Sequence, residues 1–235
     1  CLWIEGNEVE NAKRSKEIAN RLEAVRQMRL QSKAASTRDY AKAPYRFVQI
    51  QGTASESTLI VPRVSSERRP YLPVGLLTRD AVVADSAFAL YDAALWHLAI
   101  VASRLHLVWV AAVCGKLKTD YRYSNTLGWN TFPLPLLTEQ NRVDLTNSAS
   151  EILLAREQYY PATLGEMYNP SNFSSDYPLL KRAHDRNDEV LERAIIGRLF
   201  KNDSERLEKL FDLYARCVRG EFRNETTSKR EGAIS

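Results

Sequence analysis

Residues 93–114 form an apolar run long enough to raise the question of a membrane span, so the fold must either place this run in lipid or bury it. His97, Ser103, Arg104 and His106 interrupt it, and its flanks lack the anchor pattern of a span, so no membrane partner is expected. Burial in a globular core is the alternative, and the composition allows one. The chain has 235 residues, 44% hydrophobic and 26% charged, which suits one large domain or two small ones. Within the run Ser103 is placed to N-cap a second helix and Gly115 to stop it, so residues 93–116 read as two consecutive helices.

The flanking patterns divide the chain. Residues 8–34 read as a helix, with Ile18, Leu22 and Val25 at helical spacing and no Pro or Gly in the run. Its other faces carry Lys13, Arg14, Lys16, Arg21, Arg26, Arg29 and Lys33, which suit either a phosphate backbone or an ordinary solvated surface. From residue 45 to 75 short apolar runs predict strands at 47–50, 58–61 and 71–74, and residues 82–84 and 87–90 could extend the sheet. Pro133-Leu-Pro135 closes this mixed unit. Beyond it, helices are predicted at 143–159, 179–200 and 204–217, the last capped by Asp203 or Ser204, with a loop-like connection at 160–177. The expected fold is therefore α+β. A mixed α/β domain with an N-terminal helix occupies residues 1–136, a small all-α domain 137–217, and a flexible tail 218–235.

A net charge of +4 is too mild for an indiscriminate polycation, so any nucleic-acid surface must come from local clustering. Cys1, Cys114 and Cys217 lie far apart, without a C-x-x-C pair or a histidine at zinc spacing; this predicts no disulfide framework, no metal site and a reduced, cytoplasmic setting. No signal peptide is visible, and the opening Cys1-Leu-Trp-Ile4 lacks Met, as an excised piece of a longer protein would. His97 and His106 sit in an apolar helical pattern and read as packed or half-exposed residues, and His184 as part of a charged helix face. No nucleophile elbow, Walker loop or Gly-rich dinucleotide turn is present, so these residues alone are not read as an enzyme and no cofactor is assigned to them. Asn169-Pro-Ser-Asn-Phe173 differs from the Asn-Pro-Pro-aromatic loop that grips a flipped base: its ring is displaced, and it reads as a turn.

Two clusters carry recognition chemistry. In residues 114–124, Lys116, Lys118, Asp120 and Arg122 fall at every second position, which an extended segment would present along one edge. Cations that can donate to guanine O6 and N7, and a carboxylate that can accept from cytosine N4, are the groups that read base edges. In residues 61–69, Arg63, Arg68 and Arg69 with Ser65 and Ser66 offer a guanidinium fork and groups for phosphates, although a salt-bridged turn through Glu67 would use the same residues.

Residues 60–74, 109–124 and Asn130-Thr-Phe-Pro133, in their order and spacing, resemble the C-terminal part of MmeI-like DNA methyltransferases. Leu2-Trp3 and residues 21–33 extend the resemblance over about residues 1–216. In that family one polypeptide joins a nuclease, a helical spacer, an S-adenosylmethionine-dependent adenine methyltransferase domain, a target recognition domain and a helical C-terminal domain. The resemblance covers the last two. It implies double-stranded DNA and the upstream methyltransferase domain as partners, S-adenosylmethionine in the parent protein, and Mg where the nuclease is active. The family's base-reading positions fall on Arg63 with Asp85, on Ser86 with Arg122, and on Lys118 with Asp120. Two cation–carboxylate pairs imply guanine two bases before the methylated adenine and guanine immediately after it; Ser86 leaves the intervening base open. Ser65, Ser66, Arg68, Arg69, Lys116, Ser124 and Asn125 are expected on the DNA backbone. A stand-alone specificity subunit, or a helical interaction module without enzyme activity, is the competing reading.

Overall fold

The computed structural model describes residues 2–48, 52–79, 81–221 and 223–226. It comprises two compact units, Cys1–Gln51 and Gly52–Ser235.

In the first unit the predicted helix is broken. A single turn, α1 (Val9–Ala12), is followed by α2 (Lys16–Leu30), because the Ser15 hydroxyl accepts from Ile18 N–H and starts a new helix. A short α3 (Ala35–Asp39) and a 3₁₀ turn then reverse the chain. Arg29 is not part of a phosphate-facing surface. It is 7% exposed and donates to the carbonyls of Tyr40, Ala43 and Arg46, tying the reversal back onto α2. Lys13 and Arg26 pair locally with Glu10 and Glu23. Of the strand expected at 47–50, Phe47 and Val48 are irregular, and Gln49 and Ile50 lie outside the described residues.

The second unit holds two three-stranded antiparallel sheets. β1 (Ser57–Pro62) is the centre of the first, between β3 (Gly75–Thr78) and β4 (Ala87–Tyr91). The second is formed by β2 (Val64–Ser65), β5 (Gly115–Leu117) and β6 (Asp120–Arg122), in the order β2-β6-β5. The strand expected at 71–74 begins only at Gly75. Tyr71, Leu72 and Val74 are buried but irregular, since Pro70 and Pro73 have no N–H to give to a ladder. Residues 82–84 are likewise not a strand.

Between the sheets' strands run α4 (Trp96–Val101) and α5 (Arg104–Val113), the two helices predicted from the apolar run. Leu98 to Ala102 are fully buried, and the Ser103 hydroxyl caps α5 by accepting from His106 N–H at 3.1 Å. Gly115 does not stop the helix; Cys114 already has extended geometry, and Gly115 opens β5. After Pro135 come α6 (Glu139–Glu157), started by a Thr138–Asn141 capping box, and the single turns α7 (Leu164–Met167) and α8 (Phe173–Asp176), where a loop was expected. Next come α9 (Pro178–Ile196) and α10 (Asp203–Val218). Gly197, at φ +77°, ends α9, and Asn202 rather than Asp203 or Ser204 caps α10. Asn169 turns the chain between α7 and α8, and Phe173 is buried.

One hydrophobic core runs from Leu59 and Leu90 in the first sheet through α4 and α5 to Leu145, Leu191 and Leu210 in α6, α9 and α10. Polar groups cross this core in paired form. Asn187 donates to Ala99 O and accepts from Ser148, and Asp188 accepts from Tyr71 Oη at 2.9 Å and from Arg104 N–H at 2.8 Å. The expected tail is anchored at its start. Asn224 is buried, accepts from Leu134 N–H and donates to Phe132 O, while Glu225 pairs with Arg142. Residues 227–235, the rest of that expected tail, lie outside the described residues.

His184 does not lie on a charged surface. Leu180, Asn187 and Leu191 share its side of α9, so it is fully buried, stacked on Tyr71 at 4.1 Å and bonded to Tyr168 Oη at 2.6 Å. Burial holds His106 down to about 3, and burial followed by the charge of Arg156 holds His184 well below the usual imidazole range. Both folded values lie below the unfolded one near 6.5, so this stability is complete above pH ~6.5 and is lost as pH falls. Asp188 acts in the opposite sense. Burial raises its carboxyl to about 7, so its contribution is present in acid and lost as pH rises from ~4. Burial also lowers the His97 imidazole, and at about 1.4 kcal/mol per pH unit per group the three imidazoles outweigh one carboxyl below pH ~6.5. Urea unfolding is expected to show stability about 1–2 kcal/mol lower at pH ~5.5 than at pH ~7, with the difference shrinking in His106→Gln.

Candidate nucleic-acid interface

The two sequence clusters meet through a single residue. β1 and β2 belong to different sheets, and Arg63 is the only residue between them. Its N–H donates to Ser86 O at 3.0 Å, and its carbonyl accepts from Tyr123 N–H at 2.8 Å. Arg63 is thereby fixed between the Asp85-Ser86 segment and the end of β6, next to Arg122. The register Val64↔Arg122 continues the same alignment. Four of the six predicted base-reading residues, Arg63, Asp85, Ser86 and Arg122, thus converge from segments far apart in sequence. Lys118 and Asp120 lie at the tip of the hairpin that ends at Arg122.

The expected single edge of alternating charges is not what forms. Residues 115–122 are a hairpin whose two-residue turn is Lys118-Thr119, closed by the pair Leu117↔Asp120. Lys118 adopts a left-handed φ of +57°, uncommon for a residue with a Cβ. Alternation holds within a strand but not across the reversal, and directly opposed residues share a face. Asp120 and Arg122 accordingly share a face with Leu117, Gly115 and Val64, while Lys116 joins Tyr121 and Ser65 on the other. The second face turns inward: Ser65 is 3% exposed and Tyr121 packs on the core. Sequence periodicity therefore groups Lys116 wrongly with Asp120 and Arg122. It also misses Val64 and Leu117, exposed apolar residues on the face that carries the charges.

The support beneath the hairpin is aromatic. Tyr123 is 3% exposed and its hydroxyl meets His106 Nε2 at 3.1 Å. The ring of Tyr123 crowds Gly128, where an added Cβ would lie 3.2 Å from the ring and from Cys114 Sγ, so that the buried ring would have to shift by a few tenths of an ångström.

Family models for the MmeI target recognition domain and the MmeI C-terminal domain match residues 1–136 and 137–220. The chain belongs to the MmeI family. It is 39% identical over 214 residues to DNA methyltransferase A of Bacillus subtilis (strain 168), covering 91% of this chain and 24% of that protein. It also matches the solved Type IIL restriction-modification enzyme MmeI in complex with DNA. There the TM-score is 0.84 and the identity 27%, over 93% of this chain and 29% of that one. The chain thus spans roughly a quarter of the length of these relatives.

Within this member of the MmeI family, the predicted contact residues fall into two groups. The side chains of Arg63, Asp85, Ser86, Lys118, Asp120 and Arg122 form no hydrogen bond or ion pair with any described residue; the Arg63 guanidinium lies over the Phe88 ring at 4.9 Å. The residues expected on the DNA backbone are mostly engaged. Lys116 pairs with Glu67 at 2.8 Å and lies over the Tyr121 ring, and Ser124 caps the π-helical turn Asn125–Trp129. Asn125 accepts from Thr126 N–H, and Ser66 accepts from Arg68 N–H. Ser65 is withdrawn into the core, and the Nε of Arg69 is buried. The Arg68 side chain remains exposed.

Two glycines of this region differ in what they permit. A Cβ at Gly115 would meet nothing within 4 Å, whereas one at Gly128 would strike Tyr123 and Cys114. Gly115→Ala is therefore expected to leave thermal stability unchanged or raise it by up to about 1 kcal/mol, and Gly128→Ala to lower it by about 1–3 kcal/mol, as read by thermal melts.

Proposed function

We propose that this chain is the DNA-sequence-reading module of a fused restriction-modification methyltransferase. The observation that carries the reading is the convergence of Arg63, Asp85, Ser86 and Arg122, with Lys118 and Asp120 at the adjoining hairpin tip, as charged and polar groups without a hydrogen-bond or ion-pair partner among the described residues. Charged side chains brought together by long-range pairing and yet unneutralised are suited to an external polar ligand, and their donor and acceptor chemistry matches base edges in the major groove. The relatives support this: one is named a DNA methyltransferase, and the other is a restriction-modification enzyme solved with DNA.

In this reading Arg63 donates to a guanine two bases before the target adenine, and Asp85 accepts from the N4 of its paired cytosine. Lys118 and Asp120 read the G·C pair immediately after the adenine in the same way. Ser86 and Arg122 face the base pair between. Lys116, Ser66, Arg68, Arg69, Ser124 and Asn125 hold the duplex by its phosphates and set the register. An upstream domain of the same polypeptide flips the adenine and methylates it with S-adenosylmethionine, and Mg serves the nuclease where that is active. In this reading the protein works in the cytoplasm, where its duplex substrate is. No helix among the described residues is long and apolar enough to cross a membrane.

The test is single-molecule sequencing of DNA from a methylation-free host expressing the full-length gene. The expected motif has guanine at both places. Lys118→Glu combined with Asp120→Lys is expected to replace the guanine after the adenine while leaving the one before it, with discrimination changed by about 1–3 kcal/mol. An intact motif accompanied only by lower activity would refute the assignment.

A further inference from the structure

Arg63 is held differently from the other cations of the reading surface. Its backbone is pinned on both sides, to Ser86 O and by Tyr123 N–H, so the root of the side chain has one position. Its guanidinium lies 4.9 Å above the Phe88 ring and forms no hydrogen bond or ion pair with a described residue. A ring that a guanidinium lies over covers one side of it and leaves its N–H donors free for another partner. Phe88 is itself supported. It lies on β4 opposite the fully buried Val61, and its ring packs on Tyr123 at 5.7 Å, which in turn meets His106. A rigid column thus runs from the core through His106, Tyr123 and Phe88 to Arg63. Lys118, on an exposed turn, has no ring beneath it.

We propose that Phe88 is a specificity-positioning residue: its ring holds the Arg63 guanidinium in place with its N–H donors free before DNA arrives, so that the fork meets one guanine without first losing side-chain freedom. This rests on Arg63 reading a base, as proposed above, and adds a residue that touches no DNA. An unrestrained arginine loses considerable rotamer entropy on docking, and an ordered one loses less. A cation–π contact of the usual strength corresponds to about two- to thirty-fold in an equilibrium. The effect is confined to one base pair, because Phe88 touches one of the reading cations.

The experiment uses the full-length enzyme and measures kcat/KM for methylation of duplexes carrying either the preferred pair or a substituted pair, first at the position read by Arg63 and then at the position read by Lys118 and Asp120. Phe88→Leu is expected to reduce discrimination at the first position by about two- to thirty-fold and to leave the second unchanged. Pentafluorophenylalanine introduced at position 88 keeps the shape of the ring and reverses its charge distribution, and is expected to act in the same direction even if the leucine variant folds poorly. Phe88→Tyr is expected to retain discrimination. If Arg63→Ala relaxes the first position while the Phe88 variants do not, the positioning role is wrong and base reading by Arg63 stands. If the Phe88 variants weaken both positions equally, Phe88 is only structural and the inference is overturned. If Arg63→Ala leaves both positions unchanged, Arg63 reads no base there, and the inference falls with the reading beneath it.

Discussion

The corner between α4 and α5 is the constraint around which residues 52–226 are arranged. Ser103 satisfies it in both directions, donating to Ile100 O at 2.7 Å and accepting from His106 N–H, while Asp188 accepts from the next backbone N–H, that of Arg104. Exposed backbone groups at a helix junction are costly in a core, and here a serine hydroxyl and a carboxylate from another helix pair with them. Because the corner is closed locally, the apolar run can turn back on itself without reaching solvent. That burial gives the sheets one side of α4 and α5 to pack on and α6, α9 and α10 the other.

The same corner explains why a charged residue interrupts the run. Arg104 reaches Asp203 at the start of α10 and the carbonyl of Pro70 before β3, so its guanidinium joins segments matched by the two different family models. Arg206 completes the group with Asp203 and with the buried Glu192. Isolated buried charges are strongly destabilising, and replacing one member of such a set leaves the others uncompensated. The helical segment is therefore fastened to the sheets by directional contacts as well as by apolar area. The Asn224 clasp adds a third tie over Phe132 and Leu134.

What could be read from sequence follows from the range of the interactions concerned. The break at Ser103 is written in a local pattern, an N-cap within an apolar run, and the structure has it. The break at Ser15 was equally local but was masked by the absence of Gly and Pro. The fates of His184 and Arg29 depend on which side of a helix meets the core, which charged neighbours such as Lys181 and Asp185 obscure. At the candidate interface, the alternation from Lys116 to Arg122 was visible, but not that Lys118-Thr119 reverses the chain, since neither residue is a customary turn former at a left-handed φ. The family resemblance implies the six proposed reading positions; periodicity alone reaches three of them and adds Lys116, which the hairpin places on the other face. Nothing in the sequence placed Phe88 beneath Arg63, because that contact exists only once β4 pairs with β1.

Fold and recognition are carried here by different atoms. Tyr123, His106 and Gly128 lie beneath the surface and are bonded or packed tightly enough that replacing them disturbs the core. The six side chains proposed to read bases form no hydrogen bond or ion pair with a described residue, so substituting them removes little that stabilises the folded state. A surface built this way can change which bases it addresses while the scaffold stays constant, provided the new side chains are also left unpaired by the fold. Arg63 is the exception that limits this freedom. Its guanidinium over Phe88 couples one proposed reading position to the core, and a lysine there would keep the charge but lose the planar group over the ring.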